Sequence, residues 1–85
     1  LSHDEEITGI IAKSSTTRSV ARISKVNLII MKIAIYEIKY DDKVPGAAAI
    51  NEAVELGKKY AYKQDCNFIN GVLNSYLEEF ENARD

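Results

Sequence analysis

The sequence predicts an all-α protein, a helical bundle of about four helices. Its 85 residues include only one proline and four glycines, which favours long elements with few turns. In residues 50–61 and again in residues 68–80, apolar side chains recur at the three- and four-residue intervals of a helix, separated by a short polar break. These two segments are predicted to pack against each other as a helical hairpin.

The first helix is predicted to begin at Ser2. Ser2 and Glu5 have the spacing of a capping box, in which the hydroxyl accepts from an amide of the first turn and the glutamate bonds back. Three successive acids suit the positive end of the helix dipole. The apolar stripe contains Ile7, Ile10 and Ile11. The helix is predicted to end near Lys13, because hydroxyl side chains follow that compete for backbone hydrogen bonds.

The second long helix is predicted from Ser24, its N-cap, to about Tyr40. The preceding residues, 18–23, are ambiguous and accommodate at most a single helical turn. The apolar residues of the long helix lie on nearly all sides, so it is predicted to be buried on most sides. A continuous apolar run also fits a strand, but about sixteen residues without Gly or Pro is too long for a typical strand, which favours the helix.

Three lysines, Lys25, Lys32 and Lys39, are spaced seven residues apart along this helix and therefore fall near one line. We expect this line to be the one part of the helix that faces water. Two interpretations remain open for it: a solvated face of a buried helix, or a ridge that contacts phosphates.

The third and fourth helices form the hairpin. Pro45 disfavours the α conformation at the residue before it, so the third helix is predicted to begin at or just after Pro45. Gly57 and Gly71 are predicted to mark close helix crossings. Residues 60–64 are predicted to form the turn, with Asp65 as the N-cap of a last helix over residues 66–82.

Composition limits the function classes. The formal net charge is −2, so nucleic-acid binding would require a local basic patch. Cys66 is the only cysteine and His3 the only histidine, which leaves no internal disulfide and no cluster at metal-ligand spacing. No nucleophile–base pair or phosphate loop is present, so we expect neither catalysis nor a cofactor. The acidic start and the absence of a long uninterrupted apolar stretch predict a cytoplasmic protein without a membrane span.

Four sequence motifs carry a family resemblance. They read MKIAIYEI at residues 31–38, KVP at 43–45, AINEAVELGKKY at 49–60 and NFINGVLNSYLEEF at 67–80. In this order, from Asn27 to Tyr76, they resemble the carboxy-terminal half of the NusB family of transcription antitermination factors. The resemblance implies an all-α fold of two helical subdomains, of which residues 1–85 correspond to the second. The arginine-rich RNA-binding segment of the family belongs to the first.

The resemblance also implies a function. Members of the family bind an antitermination RNA element of ribosomal RNA leaders together with the ribosomal protein NusE, within the RNA polymerase antitermination complex. The positions that we expect to contact RNA on this basis are Arg18, Lys25, Lys32, Lys39, Gln64, Asp65 and Phe68. Asn27 stands where the family has an acid associated with the protein partner. Phe68 has two possible roles, stacking on a base or closing the helical hairpin.

Two other functions remain open at this point. One is the NusB-like RNA-binding domain that precedes the catalytic domain of ribosomal RNA cytosine methyltransferases, and the other is a purely structural helical adaptor. If four basic side chains met phosphates, the logarithm of the binding constant would fall against the logarithm of the salt concentration with a slope, the salt slope, of only about −3. We therefore expect weak RNA binding by this chain alone. A largely apolar second helix also leads us to expect self-association.

Overall fold

The computed structural model describes residues 2–15 and 18–84, and the side chains of residues 3–15 and 18–83. The helices are α1 (Ser2–Ser14), α2 (Lys25–Tyr40), α3 (Gly46–Tyr60) and α4 (Lys63–Arg84), with a single 3₁₀ turn (Val20–Arg22) between α1 and α2. The described residues contain no β-strand. The predicted all-α class and the helical assignment of the long apolar run are therefore confirmed.

Helix α1 lies against α2 and α4 along one apolar stripe. Ile7 and Ile11 are buried, and Ile10 is partly buried beside them. The helix ends within a residue of the predicted position, where the Ser15 amide donates to the Ile11 carbonyl at 2.8 Å. The predicted capping hydroxyl of Ser2 lies outside the described side chains. This short helix therefore holds its place through the apolar contacts of one face.

Helix α2 begins as predicted, because the Ser24 hydroxyl accepts a hydrogen bond from the Asn27 amide at 3.2 Å. It packs against α1, α3 and α4, yet one face remains uncovered. The large apolar residues exposed on this face are Val26, Ile29, Ile33, Tyr36 and Tyr40. The prediction that a lysine line is the only part of α2 facing water is therefore wrong. Three helices cover only part of the circumference of a fourth, so apolar side chains are left at the surface.

Helices α3 and α4 run antiparallel and approach closely at two glycines. Pro45 precedes the first residue of α3, as predicted. A Cβ atom on Gly57 would lie 3.3 Å from Cys66 Sγ and from Ile69 Cδ1, so the predicted close crossing is confirmed there. A Cβ atom on Gly46 would likewise meet the side chain of Leu77, so the two helices also lie close together there. At Gly71 nothing lies within 4 Å of an added Cβ, so the predicted crossing at that residue is wrong.

Helix α4 begins at Lys63, two residues before the predicted N-cap. Asp65 is therefore not the cap but a residue of the first turn, with its amide donating to the Tyr62 carbonyl at 2.9 Å. The physical reason is that its carboxylate is engaged elsewhere, in an ion pair with Arg18. The connection between α3 and α4 consequently contains only residues 61 and 62.

The core lies where α2, α3 and α4 meet, with Ile11 of α1 closing one side. Its largest fully buried apolar side chains are Ile11, Met31, Ile35, Ile69 and Leu73. Within the described residues, no helix is both long and apolar enough to cross a membrane. The fold thus presents two features for function, the end of the hairpin at the α3–α4 connection and the uncovered face of α2.

Candidate nucleic-acid interface

Three of the predicted site residues lie together in an arginine cluster of Arg18, Asp65 and Phe68. Arg18 comes from the connection between α1 and α2, and the other two from the first two turns of α4. The Arg18 Nη2 atom lies 3.1 Å from Asp65 Oδ1, and its guanidinium carbon lies 4.3 Å from the centre of the Phe68 ring. A guanidinium carries five N–H donors, so the ion pair leaves Arg18 with donors for a further acceptor.

Phe68 serves the core and the arginine at the same time. Its ring is partly buried and packs against the hydrophobic core, while Arg18 lies over the ring in a cation–π contact. A base that stacked on this face of the ring would have to displace the guanidinium. The arrangement is better suited to phosphate binding by Arg18 than to base stacking by Phe68.

The lysine line of α2 is largely engaged in ion pairs with α1. Lys32 Nζ lies 2.9 Å from Asp4 Oδ1, and Lys39 Nζ lies 2.5 Å from Glu6 Oε1. Lys25, at the start of α2, is exposed. Two of the three predicted phosphate contacts are thus already paired with carboxylates, so they offer less attraction to a phosphate than free lysines.

These ion pairs change the titration of the acids. The hydrogen bond from Lys32, with the positive charge that it carries, lowers the pKa of Asp4. The hydrogen bonds from Lys39 and then from Tyr40 lower the pKa of Glu6. The same bond to Glu6 raises the pKa of Tyr40. The line of lysines therefore joins α1 to α2 electrostatically.

Asn27, the predicted partner contact, is inside the protein. The residue is 0% exposed, and neither Nδ2 nor Oδ1 of its side chain has a hydrogen-bond partner among the described residues. The prediction of a direct contact does not fit this structure, because no partner reaches a buried carboxamide. Its place in the first turn of α2 leaves only an indirect role, through the position of that helix.

Three residues at and before the α3–α4 connection were missed by sequence reasoning: Lys59, Tyr60 and Tyr62. All three are exposed, as is the predicted contact Gln64 at the start of α4, and we call these four residues the turn surface. Tyr60 and Tyr62 are 61% and 76% exposed, and Lys59 Nζ lies 5.3 Å from the centre of the Tyr60 ring. Exposed aromatic rings beside cations form the usual platform for single-stranded nucleic acid.

The signal for this surface was present in the sequence. Residues 58–63 read KKYAYK, in which lysines and tyrosines are interleaved. Lysines of α3 can also pair with glutamates one turn earlier in the same helix. One such pair is present, between Lys58 Nζ and Glu55 Oε2 at 3.3 Å, but both of its side chains are more than half exposed. A charge pairing of this kind is weak and does not exclude a binding role.

The remaining cysteine and acidic side chains do not form a reactive or metal-binding group within the described residues. Cys66 is buried, and its Sγ lies 3.9 Å from the Tyr62 carbonyl oxygen. In the part of the chain that the structure describes, no three His, Cys, Asp or Glu side chains are grouped closely enough to hold a metal ion. The arginine cluster and the turn surface therefore carry the candidate binding chemistry.

The comparisons with known proteins agree with the resemblance in the sequence. The model of the NusB family matches residues 1–78. Among curated relatives, a transcription antitermination protein NusB of Acetivibrio thermocellus is 46% identical over 76 residues, which cover 89% of this chain and 52% of the relative. One of Clostridium botulinum (strain Alaska E43 / Type E3) is 43% identical over 75 residues, covering 88% and 56%. One of Finegoldia magna is 40% identical over 83 residues, covering 98% and 61%.

The chain is shorter than these relatives, since it spans between about half and three fifths of their length. No solved structure gives a significant match. The family model nevertheless covers most of the chain, and the identities to these relatives are 40–46% over most of its length. On this evidence the chain belongs to the NusB family.

Proposed function

We propose that this chain is part of a cytoplasmic, RNA- and protein-binding transcription antitermination factor. Its proposed ligand is an antitermination RNA element of ribosomal RNA leaders, bound together with the ribosomal protein NusE and acting with RNA polymerase. The names of the relatives support the antitermination role. The observation on which the proposal chiefly rests is Arg18, held beside Phe68 and Asp65 at the same end of α4 as the exposed tyrosines.

The proposed RNA surface joins the arginine cluster to the turn surface. Arg18 and Lys59 supply positive charge for phosphates, while Tyr60 and Tyr62 supply faces for bases. Stacking of a base on an aromatic ring stabilises binding by about 1–3 kcal/mol. This mode tolerates many base sequences, so the selection of one RNA element would depend on hydrogen bonds from polar side chains such as Gln64.

The charge of the chain limits the affinity that this surface provides. The net charge is −2, and the two lysines that follow Lys25 along α2 are paired with acids. Three or four phosphate contacts would give a salt slope of about −2 to −3 for single strands. We therefore expect this chain to bind RNA weakly when it is alone. A partner protein would supply the remaining affinity.

The uncovered face of α2 is the surface that we assign to protein contact. Its five exposed apolar side chains are Val26, Ile29, Ile33, Tyr36 and Tyr40. A contiguous apolar patch of this kind commonly marks a protein interface. His3 adds an aromatic ring, with its centre 4.5 Å from that of Tyr40. NusE is the proposed partner for this face.

The experiment that tests the proposal measures RNA binding by fluorescence anisotropy, with and without NusE. A labelled oligoribonucleotide that contains the antitermination element of a ribosomal RNA leader is compared with a scrambled oligoribonucleotide of the same composition. We expect weak binding by the chain alone and tighter, sequence-dependent binding when NusE is present. Equal binding of the two oligoribonucleotides in both conditions would contradict the proposal.

A further inference from the structure

A groove of about 710 Å³ lies between α3 and α4, and neither the arginine cluster nor the turn surface uses it. Its floor is apolar, with Ile50 and Cys66 buried and Val54 partly buried. The two helices come close at Gly46 and Gly57, where no side chain separates them. The groove is therefore a shallow channel along the hairpin with a hydrophobic base.

Four asparagines form the polar edges of this groove. Asn67, Asn70 and Asn74 follow one another along α4, and Asn51 belongs to α3. The Asn74 Nδ2 atom donates to the Asn70 carbonyl oxygen at 2.9 Å and to Asn70 Oδ1 at 3.0 Å, which fixes the orientation of this pair. Each carboxamide combines donors with an acceptor, as a peptide group does. The edges of the groove can therefore pair with the backbone of another chain.

The spacing of the asparagines agrees with that of an extended polypeptide. Asn70 and Asn74 are four helical residues apart, a rise of about 6 Å at 1.5 Å per residue. Two residues of an extended chain span about 6.6 Å. From Lys63 to Leu77 the groove is about 21 Å long by the same helical rise, which is room for about six extended residues.

The charged side chains that line the groove are both positive. Lys58 and Lys63 lie at the end next to the α3–α4 connection, and no carboxylate lines the groove among the described residues. The pair between Lys58 and Glu55 is more than half exposed and therefore competes little for the lysine. No aromatic side chain lines the groove either, so it lacks the stacking platform that a nucleic acid would use.

We propose that the groove binds a short, extended segment of another polypeptide with an acidic end. The segment places its backbone along the asparagines, an apolar side chain over Ile50 and Val54, and a carboxylate between Lys58 and Lys63. This site is separate from the proposed RNA surface and goes beyond the proposed function. It provides the chain with a docking site for an acidic peptide.

The test follows the side-chain amides of the asparagines by NMR, using the chain labelled with ¹⁵N. The probe is an N-acetylated hexapeptide, Ala-Val-Ser-Val-Ser-Asp, with a free carboxy terminus. We expect saturable shifts of the amide resonances of Asn67, Asn70 and Asn74, with a Kd of about 1 mM or tighter. A matched peptide that ends in Lys-amide is expected to bind about tenfold more weakly.

Variants at exposed positions distinguish the groove from general charge effects. Lys63→Glu is expected to weaken binding of the acidic peptide about fivefold or more, whereas Lys43→Glu, outside the groove, leaves it unchanged. The double variant Asn70→Leu, Asn74→Leu is expected to weaken binding similarly, with Asn82→Leu as its control. Equal binding of the two peptides, an absence of amide shifts, or shifts produced only by an oligoribonucleotide would overturn the inference. None of these results depends on whether the turn surface binds RNA.

Discussion

Arg18 and Asp65, which are 47 residues apart in the chain, form an ion pair with an Nη2–Oδ1 distance of 3.1 Å. The pair joins the connection after α1 to the first turn of α4. Asp65 is well covered, with a side chain 13% exposed, while Arg18 is 33% exposed. The contact therefore fixes the end of the hairpin and keeps a guanidinium at the proposed RNA surface.

The first prediction concerns this pair. Asp65→Asn removes the charge that holds Arg18, and we expect the free energy of unfolding to fall by about 1 kcal/mol, because the pair is only partly shielded from solvent. Urea denaturation followed by circular dichroism measures the change. Asp42→Asn, at an exposed position between α2 and α3, serves as the control and is expected to have little effect. Equal stabilities of the Asp65 variant and the wild type would show that the pair contributes nothing.

The second prediction concerns acid stability. The pKa values of Asp4 and Glu6 are lowered in the folded chain from 3.8 and 4.5, their ordinary values. A lowered folded-state pKa stabilises the fold above the ordinary value, and that contribution is lost as the pH falls through the folded-state pKa. Glu37 acts in the opposite sense, because burial raises its pKa and its protonation therefore favours the folded state at low pH.

Denaturation at several pH values between about 6 and 2 tests this dependence. We expect the stability of the wild type to decline below the ordinary pKa values of Asp4 and Glu6. Glu6→Gln should reduce the slope of this decline, while Glu5→Gln, on the same helix, is the matched control. An identical slope for the Glu6 variant and the wild type would mean that its bonds to Lys39 and Tyr40 do not stabilise the fold.

The third prediction compares two helical glycines. Gly71→Ala is expected to raise the free energy of unfolding by about 1 kcal/mol, because alanine favours the helix and nothing lies within 4 Å of the added Cβ. Gly57→Ala gains the same helix propensity but meets Cys66 and Ile69 at 3.3 Å, so its gain is expected to be smaller. Thermal or urea denaturation of both variants gives the comparison. A larger gain at Gly57 would contradict the close packing of α3 on α4.

The fourth prediction concerns self-association through the uncovered face of α2. Ile33 lies at the centre of this face and is 49% exposed. Because an exposed apolar face favours association, we expect the apparent mass in sedimentation velocity to rise with protein concentration. Ile33→Lys should abolish this rise without changing the helical content. The control is Leu56→Lys, at an exposed apolar position on α3. A wild-type chain that stays monomeric at high concentration would exclude this association.

The helices were predictable because their signals are local. Ser24 caps α2 and Pro45 precedes α3 as expected, since an N-cap and a proline act on the residues next to them in the chain. The apolar spacing of the hairpin likewise depends only on helix geometry. A helical glycine was a less certain guide: Gly57 lies at a close crossing as expected, whereas nothing lies within 4 Å of a Cβ added at Gly71, where a crossing was also expected.

The site was less predictable because it depends on contacts between distant segments. Asp65 has the residue type and position of an N-cap, and only the position of Arg18 explains why its carboxylate forms an ion pair instead. In the same way, Lys32 and Lys39 are paired with acids of α1 about thirty residues earlier, which the spacing of the lysines does not reveal. The exposure of Ile33 depends on how many helices surround α2.

The most direct test of the central proposal measures the binding of the ribosomal RNA leader oligoribonucleotide to Arg18→Ala and Arg22→Ala in the presence of NusE. Both arginines lie in the connection between α1 and α2, but only Arg18 belongs to the cluster at α4. Arg18→Ala is expected to lower the affinity about fivefold or more. It is also expected to reduce the magnitude of the salt slope by about 0.7, because one phosphate contact is lost. Arg22→Ala should match the wild type. Unchanged affinity and salt slope in the Arg18 variant would contradict the account.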